Sequence, residues 1–87
     1  MDKYEFIRQM ANFLIQHQRT MNAQDLVALL NWNKYHTDYG TKYRGGRGIY
    51  KLIHATYDWL VDIECQPEAD NVALAYFKPD GSYAYDK

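Results

Sequence analysis

Hydrophobic positions recur at helical spacing in three stretches of the chain. Phe6, Ile7, Met10, Phe13 and Leu14 recur at three- and four-residue steps, after an Asp2-x-x-Glu5 spacing that suits a helix start. A first amphipathic helix is expected over residues 3 to 18. Beyond the polar QHQRT, Asn22 can cap a second helix, with Asp25 in its first turn and Leu26, Val27, Leu29 and Leu30 as its buried stripe. That helix should end near Asn31. From Arg47 the period returns, with Ile49, Leu52, Ile53, Thr56, Leu60 and Ile63 on one face, which predicts a third helix over 47 to 63.

The segments between and after these helices follow other patterns. Residues 32 to 46 contain Gly40, Gly45 and Gly46 without helical periodicity, so an ordered loop is expected, with YHT as a candidate strand and DYGT as a turn. The acidic ECQPEADN reads as a connector, because Pro67 opposes helix continuation. In VALAYF, Val72, Leu74 and Tyr76 alternate with Ala73, Ala75 and Phe77 as in a strand. VALAYF and SYAY flank KPDG, where Pro79 suits the second position of a type I turn and Gly81 can take the left-handed conformation that closes a hairpin. A hairpin alone is marginal in water, so this one must pack on the helices. The expected fold class is α+β, three helices followed by a C-terminal β-hairpin, in one domain spanning residues 1–87.

Three helices followed by a hairpin resemble the winged helix-turn-helix fold, whose third helix enters the DNA major groove while the hairpin, or wing, flanks it. The resemblance implies a DNA-binding protein, such as a small transcriptional regulator. The 15 residues from 32 to 46 are many for a tight corner, so KYHTDYGTKYR is expected to form an excursion that adds a short strand. Residues 26 to 53 also resemble the DNA-binding segment of large serine recombinases. Leu30, Asn31, Thr37, Gly40, Tyr43, Ile49, Leu52 and Ile53 fit its pattern, whereas Lys34 and Tyr35 stand where that family usually has a glycine before the threonine. That likeness implies nucleic-acid contact by the segment alone. Recombination is not implied, since the only serine is Ser82 and the chain has no room for the recombinase catalytic domain.

Charge sharpens the picture. The chain has formal charge -1, yet no acid occurs from Tyr39 to Tyr57, where Lys42, Arg44, Arg47 and Lys51 lie. Outside this window six Lys and Arg face eleven Asp and Glu, a formal charge of -5. On the third helix the face opposite the apolar stripe carries Arg47, Tyr50, Lys51, His54 and Asp58. Cations there can reach guanine edges or phosphates, and tyrosine and histidine can donate to phosphates or stack. The expected nucleic-acid-binding residues are Lys42, Arg44, Gly46, Arg47, Tyr50, Lys51 and His54, with Lys78 at the hairpin tip. The expected partner is double-stranded DNA. The alternative is a protein-interaction or inhibitor module using the same Tyr/Arg-rich surface, which suits the near-neutral charge, or a homodimer.

Other chemistries find less support. RGG followed by RG looks like an RNA-binding box, but a single copy runs into a periodic helix. No G-x-x-x-x-G-K-[ST] is present, and His17, His36, His54 and Cys65 form no C-x-x-C or H-x-x-x-H pair, so neither a P-loop nor a metal site is expected. No tyrosine among the nine is singled out as a nucleophile, and no acid, base and nucleophile converge, so no enzyme activity, cofactor or small-molecule ligand is expected. At 87 residues, with 47% hydrophobic and 16% aromatic content, the chain should fold around one small core. A single cysteine, no leader-like start and no apolar run near the roughly 20 residues of a membrane span make the expectation cytoplasmic, without membrane contact.

Overall fold

The computed structural model describes residues 2–37, 39–44 and 47–85, with the side chain of Arg47 outside that description. Four helices and a two-stranded sheet follow in the order α1 (Lys3–Gln16), β1 (Met21–Asn22), α2 (Ala23–Trp32), α3 (Arg47–Asp62), α4 (Gln66–Ala75) and β2 (Tyr76–Phe77). The class is α+β. The Asp2 carboxylate accepts from the Glu5 amide at 2.8 Å and caps α1. Asn22 caps α2 by accepting from the Gln24 amide, also at 2.8 Å.

The first three helices end alike. Gln18, Lys34 and Glu64 take φ of 56°, 62° and 62°, in the left-handed region. Each donates its amide back to the ladder, to Ile15, Asn31 and Val61, and the next residue's amide reaches Leu14, Leu30 or Leu60. This is the Schellman closure, built here without glycine. Its leucines are all buried, so each helix ends where its last core residue is anchored.

Two expectations are corrected at the C-terminal end. The segment read as connector and strand is helix α4, and the alternation over 72–77 does not describe its burial. Ala69, Val72 and Ala75 are buried at steps of three while Leu74 is exposed. Pro67 lies within the first two positions of α4, where a missing N–H disrupts nothing. Ile63, expected on the buried face of α3, is 45% exposed because it follows the last helical residue, Asp62.

The KPDG turn forms where expected: the Gly81 amide donates to the Lys78 carbonyl at 2.9 Å with Gly81 at φ 90°, and the Lys78 amide donates to the Ser82 carbonyl at 2.7 Å. The hairpin is shorter than expected, a single antiparallel bridge between Phe77 and Tyr83. The expected extra strand between the second and third helices is absent from the described residues of 32–46. Thr37 and Thr41 instead close a small loop on each other, with a 2.7 Å hydroxyl contact and Gly40 at φ 78°. The strand that joins the sheet is β1, pairing parallel with β2, Met21 opposite Tyr76 and Asn22 opposite Phe77.

Helix α4 packs chiefly on α1 and α3, so it lies between α3 and the hairpin in sequence and beside α3 in space. Ile7, Ala11, Leu26, Leu30, Ile49, Ile53, Leu60, Val72 and Tyr76 are fully buried in the shared core. The Tyr76 hydroxyl donates to the Ile7 carbonyl at 2.8 Å, which satisfies a buried phenol and ties the start of β2 to α1.

Candidate nucleic-acid interface

Helix α3 is held by one apolar side. Ile49, Leu52, Ile53, Thr56 and Leu60 are buried, and the Thr56 hydroxyl is satisfied by the Leu52 carbonyl at 2.8 Å. The outer side presents Tyr50, Lys51, His54, Ala55 and Asp58, which line an open cleft of about 530 Å3. Lys51 and Asp58 are exposed, and Tyr50 and His54 are half-buried.

The C-terminal segment covers one flank of this stripe. Lys78 places its ammonium 5.2 Å from the Tyr50 ring centroid, within cation–π range, so the hairpin cation lies beside the outer face of α3. The Tyr85 ring packs on His54 at 4.6 Å and stacks on Tyr57 at 4.1 Å. Desolvation, with smaller contributions from Tyr57 and Asp58, raises the Tyr85 hydroxyl above its ordinary pKa. At the turn, hydrogen bonds from the Ser82 hydroxyl and amide hold the Asp80 carboxyl below its ordinary range, so it is ionised at neutral pH.

A second cleft of about 370 Å3 opens on the other flank of α3, between Gly48, Lys51 and Ala55 and the residues Lys3, Tyr4, Tyr39 and Tyr43. Lys51 and Ala55 border both clefts and form the ridge between them. Lys3 lies 5.6 Å from the Tyr43 ring centroid and donates to the His36 carbonyl at 3.3 Å. Lys3 and Lys51 therefore line the clefts and Lys78 stands beside Tyr50 at the edge of one of them, which has Asp58 at its C-terminal end.

The loop before α3 is fixed by Asn31. Its side chain donates to the Tyr43 carbonyl at 2.8 Å and accepts from the Tyr43 amide at 2.9 Å, while the Tyr43 ring is buried. Several residues of the recombinase-like pattern thus have structural work: Asn31 clips the loop, Thr37 and Gly40 shape it, and Leu30, Tyr43, Ile49, Leu52 and Ile53 anchor it or α3.

Of the expected binding residues, Tyr50, Lys51, His54 and Lys78 come together. Arg44 is exposed on the loop just before α3. Lys42 does not join the group; it lines a separate basin at the end of α2. Gly46 and the Arg47 side chain lie outside the described residues. Lys3 was not expected at the site, since nothing in sequence links the start of α1 to α3. Among the described residues no group of three His, Cys, Asp or Glu could hold a metal ion, and no helix is long and apolar enough to cross a membrane. No protein-family model matches the chain, and no curated protein or solved structure does either.

Proposed function

We propose that this chain binds double-stranded DNA through the first two turns of α3, with the hairpin acting as a wing, in the manner of a small transcriptional regulator. The observation that carries the reading is the approach of Lys78 to Tyr50, which joins the hairpin cation to the outer stripe containing Lys51. In this reading Tyr50, Lys51 and His54 face the groove, while Lys78, Arg44 and Lys3 meet phosphates on either side. The helix N-terminus adds partial positive charge at the same end. Asp58 sets the limit of the footprint, because a phosphate near it would be repelled.

The test is the double substitution Arg47→Ala with Lys51→Ala. It should abolish the gel shift of a duplex while leaving the melting temperature within about a degree, the outcome that separates lost contact from lost fold. For the parent protein log affinity should fall linearly with log salt, each contacted phosphate adding about -0.9 to the slope. An unchanged gel shift in the double variant removes α3 from the interface.

A second reading has its own support. The net charge of -1 and the presence of Asp58 in the α3 cleft suit a protein partner on the same surface. Recovery of one stoichiometric protein from nuclease-treated lysate, lost in the double variant, would favour that reading over DNA.

A further inference from the structure

The end of α2 carries a surface that the α3 site does not use. Lys34, in the left-handed conformation, turns the chain sharply, and the Tyr35 amide returns to the Leu30 carbonyl at 3.0 Å. Tyr35 rests its ring 5.4 Å from that of Phe6, and Asn31 is locked onto Tyr43 from both sides. These contacts hold open a basin of about 670 Å3 lined by Asn31, Trp32, Lys34, Tyr35, His36 and Lys42. Its volume is in the range of small-ligand sites, about 300–1,000 Å3.

Trp32 is 84% exposed at the basin's edge, and it makes no ring contact with a described residue. A large indole left in water is an uncommon use of tryptophan. Among the described residues the basin's lining contains two lysines and an exposed histidine and no carboxylate. Neither Lys34 nor Lys42 forms an ion pair with a described carboxylate. A protein hot spot is normally a tryptophan set within apolar neighbours that exclude water. Trp32 has exposed Lys34, His36 and Lys42 around it instead. A flat π-face beside cations is the chemistry that stacks an unpaired nucleobase and neutralises its phosphate.

We infer that this basin is a second nucleic-acid subsite, taking an unpaired base from a single-stranded extension of the bound duplex, with Trp32 as stacking platform and Lys34 and Lys42 on the adjoining phosphate. The inference rests on the nucleic-acid reading of α3. Residue 43 connects the two places: Asn31, which lines the basin, holds the backbone of Tyr43, which lines the α3 cleft.

Fluorescence and anisotropy titrations test it with a blunt duplex, the same duplex carrying a single-stranded thymidine extension, and the extension alone. In a Trp59→Phe background Trp32 is the only tryptophan. Its emission should be quenched by the extended duplex and left unchanged by the blunt one. In the parent background Trp32→Ala should weaken binding of the extended duplex by roughly five- to a hundredfold, the range that stacking one base supplies. Blunt-duplex affinity and melting temperature should not change. Blunt-duplex binding with no added affinity from the extension, or with an added affinity that Trp32→Ala leaves intact, overturns the basin and keeps the α3 reading. Quenching by single strand alone, without duplex binding, overturns the α3 reading and keeps Trp32 as a stacking platform. Absence of binding to all three probes, or quenching of Trp32 only by a protein partner, removes both.

Discussion

On the α1–α4 side of the molecule charged side chains pair with one another, whereas on the face made by α2, the loop and α3 three lysines stand exposed. Arg8 reaches Glu5 at 2.6 Å and Glu68 at 3.5 Å, and its guanidinium lies 6.0 Å from the Trp59 ring centroid. Asn12 donates to Glu68 at 2.7 Å and accepts from Asn71 at 3.0 Å, and Arg8 Nε is buried with no hydrogen-bond partner among the described residues. Lys34, Lys42 and Lys51 across the molecule are exposed. The two regions use cations differently: paired ones fix how helices sit, and exposed ones remain available to a ligand. Substitutions should therefore affect stability on the first side and binding on the second.

The largest stability effect is expected at Tyr76, where burial and the bond to Ile7 coincide. Tyr76→Ala should cost about 3–5 kcal/mol, as large-to-small core changes do, and Tyr76→Phe about 1 kcal/mol for the lost hydrogen bond. Chemical denaturation of the two variants separates these contributions. Burial also raises the Tyr76 hydroxyl well above its ordinary value of 10. Its folded pKa therefore exceeds the unfolded one, so its contribution is fully present below about pH 10 and lost as pH rises further, because only unfolding frees the proton. Above that pH the parent should lose stability more steeply than Tyr76→Phe, by about 1.4 kcal/mol per pH unit. Equal slopes would mean that the phenol is not held protonated by the core.

Much of this framework was legible in the sequence where a local chemical requirement left a specific residue. Asp2 and Asn22 mark helix starts because orphan amides need side-chain acceptors, and Gly81 marks the turn because φ 90° disfavours other residues. The outer stripe of α3 was legible for the same reason, since helical geometry alone sets Tyr50, Lys51 and His54 on one side. Helix α4 was not. A proline opposes a helix interior but suits its first turn, and Ala69, Val72 and Ala75 stand out little against Ala73. The three helix ends were hidden because Gln18, Lys34 and Glu64 occupy positions where glycine would be the usual signal. Lys3 reaches the site through tertiary packing, which no spacing encodes, and Lys42 was grouped with Lys51 although the loop turns it toward Trp32.

A middle-sized effect belongs at the border between the two regions. Asn31→Ala leaves both the amide and the carbonyl of Tyr43 without their partner, which should cost about 1–3 kcal/mol. It should also loosen residues 33–44, seen as faster amide exchange there with α1 and α4 protected as before. If the Asn31 clip positions both the α3 cleft and the Trp32 basin, duplex affinity and the gain from a single-stranded extension should fall together. A loss of one alone would show that the two sites are independently held.

The smallest effect on the fold is expected at Gly48, and it sharpens the comparison most. Gly48 is exposed in the first turn of α3, and a Cβ added there meets nothing within 4 Å. No described neighbour requires glycine there, while helix propensity favours alanine by up to about 1 kcal/mol. Gly48→Ala should therefore raise the melting temperature by a few degrees at most. A ligand backbone that approaches the helix start closely would meet the new methyl group, so the same substitution should weaken duplex binding severalfold. Greater stability with weaker binding is the opposite of what damage to the fold produces. Greater stability with unchanged binding would place the ligand further along α3, toward Lys51 and His54, and take the helix N-terminus out of the contact.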